Sequence, residues 1–117
     1  MNSFKENISQ LILRKDELWR VLDIKNKQSQ IQILEDETQT EKFWDNSIEA
    51  KKILKEINKL KIWINLYDLV KKNIEDLEVL IELCADEHEI DTQLKITIQY
   101  IEDLEFKNLL SADEDNL

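Results

Sequence analysis

Not one of the 117 residues is glycine or proline. Phosphate-cradling loops, dinucleotide-binding turns and nucleophile elbows all need backbone conformations that only glycine adopts at low cost, so none of them is available here. With neither residue present, tight turns are scarce, which excludes a meander, a sandwich or a barrel. Leucine and isoleucine together number 33, although 36% of the residues are charged. That aliphatic content separates the chain from disordered acidic segments. The expected fold is all-α: an elongated, antiparallel, coiled-coil-like bundle of three to four helices.

Apolar spacing places those helices. Phe4, Ile8, Leu11, Leu18 and Leu22 lie along one helical stripe. Asn2 or Ser3 is the expected cap, with Glu6 completing a capping box. Asp23 marks a second cap or a kink, after which Ile24, Ile31 and Leu34 resume the stripe. Polarity rises over Glu35–Glu41, the expected first connection. Phe43 and Trp44 follow, and both rings are expected to plug the end of the bundle, because two exposed aromatics invite aggregation. Asp45, Asn46 or Ser47 then caps the longest helix, expected over Ser47–Ala85 and ~58 Å long at 1.5 Å per residue. Its stripe runs Ile53, Ile57, Leu60, Ile64, Tyr67, Val70, Ile74, Leu77, Ile81 and Cys84, a heptad pattern with one stammer at Tyr67–Val70. Trp63, Leu66 and Leu80 widen this face enough for two neighbours. Asp86–Glu89 forms the next turn, and Ile90, Leu94, Ile98, Ile101 and Leu104 define a last helix running back antiparallel. The expected domain is 1–110, with 111–117 as an acidic tail or the start of a linker.

No apolar run exceeds three residues, as in Leu11–Leu13, so no membrane span or signal peptide is expected. Cys84 is the single cysteine, which excludes an intrachain disulfide and suits a reducing cytoplasm. The formal net charge of −10 opposes nonspecific phosphate binding by the chain as a whole. Any nucleic-acid contact must come from a local patch.

Catalytic and metal chemistry find little support. Cys84 and His88 are four apart, which on one helix puts both on one face, but no further Cys or His completes a zinc site. A carboxylate-bridged di-metal bundle would need Glu where Ala85 stands. An EF-hand over Asp86–Asp91 lacks its glycine. Ser3, Ser9, Ser29, Ser47 and Ser111 have only one histidine to activate them. The reading is a non-enzyme without cofactor, metal or small-molecule substrate. The charge pattern is more informative. Lys51, Lys52, Lys55 and Lys59 cluster on the early part of the long helix with Lys61, and Lys51, Lys55 and Lys59 form an i, i+4 row. Glu75–Asp91 holds eight acidic residues and no lysine or arginine. The lysine cluster is the candidate binding site. The plain alternative is a solvated face, partly neutralised by Glu49, Glu56 and Asp68.

Five segments in order carry a resemblance. Leu18–Asp23 (LWRVLD), Phe43–Asn46 (FWDN), Ala50–Glu56 (AKKILKE), Ile74–Leu80 (IEDLEVL) and Ile101–Phe106 (IEDLEF) followed by Leu109–Ser111 together cover essentially the whole chain. They resemble the N-terminal helical domain of the bacterial peptide chain release factor 2 family. Two departures stand out: Arg20 replaces the family's glycine in the first segment, and Ser47 its proline after the second. Both replacements suit a helix. The resemblance implies a part in translation termination, in which the whole factor reads UAA and UGA and triggers peptide release. It further implies docking of this domain at the ribosomal stalk base, against protein and ribosomal RNA, and dealings with the recycling GTPase factor. The family's codon-reading tripeptide and Gly-Gly-Gln motif lie in later domains, so the chain is expected to be the first domain alone. The rival expectation is a free-standing coiled-coil adaptor, or a self-associating structural protein.

Overall fold

The computed structural model describes residues 2–115; Met1, Asn116 and Leu117 lie outside it. The described residues form α1 (Asn2–Val21), α2 (Ile24–Thr38), a short 3-10 helix (Glu41–Asp45), α3 (Ser47–Glu82) and α4 (Glu87–Asp115), with no strand among them. The fold is an all-α bundle. It divides into two compact units, and α3 contributes to both.

The first unit comprises Met1–Leu22 and Leu66–Leu117. Its core is Leu11 and Leu18 of α1, Leu22 in the turn that follows it, Tyr67, Val70, Ile74 and Leu77 of α3, and Ile90, Leu94, Ile101 and Leu104 of α4. Side chains of α4 reach back to α3: Gln93 Nε2 donates to Asn73 Oδ1 at 3.0 Å, and Thr97 Oγ1 to the Asn73 carbonyl at 3.3 Å. A connection of a few residues and this pairing make α3 and α4 antiparallel. Arg14 grips Glu105 through two hydrogen bonds, of 2.6 and 3.2 Å, tying α1 to α4. Nearer the start of both helices, Ser3 and Phe4 line one depression with Glu87 and Ile90. Those two helices therefore run parallel. The Trp19 and Tyr67 rings meet at 5.6 Å between α1 and α3.

The second unit, Asp23–Asn65, is a helical hairpin of α2 and the early part of α3, with the 3-10 helix in its bend. Ile24, Phe43, Ala50, Ile57 and Leu60 are buried. Across the hairpin Lys61 pairs with Glu35 at 2.9 Å, and the Lys27 ammonium lies 5.8 Å from the Trp63 ring centre. Asn46 caps α3, its Oδ1 accepting from the Glu49 backbone N–H at 3.2 Å.

Four expectations need correction. The long helix ends at Glu82, and Cys84 is exposed in a left-handed turn at φ 54 rather than buried in the stripe. The backbone bonds Ala85 N–H to Leu80 O (2.9 Å) and Cys84 N–H to Ile81 O (3.0 Å) close a Schellman motif, and that motif requires the left-handed residue. Cys84 and His88 therefore stand on different elements, not on one helical face. The first connection is also shorter than Glu35–Glu41: α2 continues to Thr38, whose hydroxyl donates to Glu35 O at 2.6 Å and ties down the last turn. Trp44 does not plug the bundle. Phe43 is buried, but the Trp44 indole packs edge to face on it at 4.7 Å and stays 63% exposed. Finally, the turn lies at 83–86 rather than Asp86–Glu89, because α4 already begins at Glu87; that helix runs through Asp115. Asp23 is a break in the helix rather than a side-chain cap, with φ 50 and no capping hydrogen bond.

Candidate functional site

Lys51, Lys52, Lys55 and Lys59 are all exposed on the early turns of α3, opposite buried Ala50, Ile57 and Leu60. Steps of three and four residues link Ile48, Lys51, Lys55, Lys59 and Ile62 into one continuous ridge, with Lys52 beside it. Ile48 and Ile62 are themselves exposed. Among the described residues none of these four lysines forms an ion pair, whereas Lys61 is taken up by Glu35. Four cations free of carboxylate partners lie over two to three helical turns, close to the N-terminus of α3. The helix dipole adds partial positive charge at that end.

The acidic span Glu75–Asp91 covers the end of α3, the turn and the start of α4, all within the first unit. Its carboxylates are exposed except the half-buried Asp91, which pairs with Lys95 at 3.0 Å. Elsewhere in this unit, an Arg20 hydrogen bond lowers the pKa of Glu17. A groove in the first unit is lined by Lys5, Ile8, Ser9, Glu78, Ile81, Glu82 and Cys84. It holds no histidine, and the Ser9 hydroxyl donates to the Lys5 carbonyl at 3.1 Å rather than to either carboxylate. Among the described residues no group of three or more His, Cys, Asp and Glu could hold a metal ion, and no helix is long and apolar enough to cross a membrane.

The sequence pattern pointed to Trp44 as a plug and gave no place to Ile48, and both are exposed. The available signal was position: both directly precede the lysine row and fall outside the α3 stripe. No family model matches the chain. Individual relatives do. Over 105 residues it is 31% identical to peptide chain release factor 2 of Mycobacterium ulcerans (strain Agy99), covering 82% of this chain and 28% of that protein. The chain is a homologue of peptide chain release factor 2. The factor of Mycobacterium leprae (strain TN) is 30% identical over 108 residues, with 82% and 29% covered. That of Buchnera aphidicola subsp. Schizaphis graminum (strain Sg) is 28% identical over 122 residues, with 99% and 34% covered. The chain thus spans about a third of the length of these release factors.

Proposed function

We propose that this chain is the N-terminal docking domain of a cytoplasmic release factor and presents the lysine ridge of α3 to ribosomal RNA at the stalk base. The observation that carries this reading is the homology over 82–99% of the chain, joined to a ridge of four unpaired lysines on an otherwise acidic molecule. Peptide release would belong to later domains of the factor, since a chain without glycine has no Gly-Gly-Gln. UAA and UGA reading, contact with the stalk-base protein and dealings with the recycling GTPase belong to the same proposal. A chain at −10 is repelled by phosphates at long range, so approach through the acidic span is the less favourable orientation.

The adaptor alternative is weaker on a physical ground. Val70, Ile74 and Leu77 of the α3 stripe are 0–2% exposed within one chain, so this part of the seam needs no second chain to cover it.

The test replaces Lys51, Lys55 and Lys59 with Gln together and measures binding to ribosomes across ionic strength. Each lost phosphate contact should flatten the logarithmic salt slope by roughly 0.7–0.9. Unchanged affinity and slope would make the ridge a solvated face.

A further inference from the structure

We propose that the exposed indole of Trp44 stacks on an unpaired base of the RNA whose phosphates the α3 lysines hold. The inference rests on the reading of the lysine ridge as an RNA-binding face, and it names the kind of RNA: a loop or bulge with a splayed base rather than a continuous duplex.

Three observations support it. Trp44 is 63% exposed although its sequence neighbour Phe43 is buried. Their rings meet at 4.7 Å with planes at 90°, so Phe43 covers at most one face of the indole and fixes its attitude. A pre-set aromatic plane with a free face loses little freedom on stacking. Second, the 3-10 helix holding Trp44 ends at Asp45, and α3 begins at Ser47. Trp44 therefore comes seven residues before Lys51 in the chain, and Lys51, Lys52 and Lys55 follow within about 15 Å of helix axis from Ser47 at 1.5 Å per residue. Third, the surroundings are wrong for a protein anchor. Lysine is depleted in the cores of protein–protein interfaces, whereas cations beside an exposed aromatic are the usual surface for single-stranded nucleic acid. Base faces in duplex RNA are covered by their stacked neighbours, so an aromatic platform implies an unstacked base.

The probes are a hairpin RNA with an unpaired loop and a blunt duplex RNA of equal length. Their binding to the 117-residue chain is measured by fluorescence anisotropy over a range of salt, with circular dichroism to verify that each variant keeps its helix content. Trp44→Ala should weaken hairpin binding by about 5- to 150-fold, the range for loss of one stacked base, while leaving the salt slope unchanged because no counterion contact is lost. Trp44→Phe should retain most of the affinity, and the parent chain should prefer the hairpin over the duplex. The Lys51, Lys55 and Lys59 triple Gln variant should instead flatten the salt slope. If Trp44→Ala binds the hairpin like the parent while the lysine variant is weakened, stacking is overturned and the lysine reading survives. If neither variant changes binding, both are overturned. Equal affinity for duplex and hairpin would likewise remove the unpaired base from the proposal, and Trp44 would then fit a protein contact better.

Discussion

Tyr67 is 6% exposed and packs against Trp19. Burial, and then the carboxylates of Asp16 and Asp68, hold its phenol above the ordinary value of 10.0. The unfolded chain, with an unperturbed phenol, therefore loses that proton first as the solution becomes alkaline. Stability from this residue is intact below pH 10 and declines as pH rises through the native value. Urea melts at neutral pH and well above pH 10 should show a loss that shrinks in Tyr67→Phe. An equal alkaline loss in both proteins would place its cause elsewhere. Thr97 makes a different point at the same scale. It is fully buried, a polar side chain at a core position, because its hydroxyl is satisfied by Gln93 O at 2.8 Å and Asn73 O at 3.3 Å. Apolar spacing points to Ile98 instead, and Ile98 is only half-buried. A hydroxyl that bonds the carbonyl four residues earlier hides its polarity from the core, and no apolar count detects that.

At the scale of elements, the absence of glycine has a local cost. Helix α3 ends in a Schellman motif with Cys84 at the position glycine usually fills, and α1 breaks at Asp23, also left-handed. A residue with a Cβ pays roughly 1–2 kcal/mol in that conformation, less for aspartate, whose side chain tolerates it. Cys84→Gly should therefore stabilise the chain by about 1 kcal/mol, read as a higher urea midpoint at unchanged m-value. Cys84→Ala should leave the midpoint nearly where it is, since it removes the thiol but keeps the Cβ. If the alanine variant gains as much as the glycine variant, the thiol and not the backbone is the source of strain. A turn near here was legible in the sequence as the acidic cluster Asp86–Glu89, although the connection is 83–86 and Glu87 already starts α4. Its geometry was not, because the pattern that ends in Cys84 still reads as helix.

For the whole molecule, the expected state in solution is a monomer of 14.0 kDa. The second half of the α3 seam is buried within the chain, and a net charge of −10 opposes self-association. Sedimentation equilibrium at moderate salt checks this, and a stable dimer would return the coiled-coil adaptor to first place. The candidate site was legible only in part. The i, i+4 lysine row follows directly from sequence spacing, and its exposure follows from the stripe on the opposite side of the helix. Which lysine is neutralised does not: Lys61 belongs to the same run, yet it pairs with Glu35, 26 positions earlier.

Helix number, the stripes that face inward and the absence of a sheet among the described residues all followed from periodicity in a chain without glycine or proline. Those properties depend on neighbours three and four residues apart, which sequence records directly. Tertiary structure decided that Phe43 is buried and Trp44 exposed, that Thr97 rather than Ile98 completes the core, and that Cys84 leaves the helix. Each of these depends on a partner that sequence spacing does not reveal: the aromatic ring beside Trp44, the Asn73 carbonyl facing Thr97, and the carbonyls of Leu80 and Ile81 that close the turn. Adjacent side chains on a helix or tight turn point in different directions, so chemically similar neighbours part company as soon as one of them meets the core.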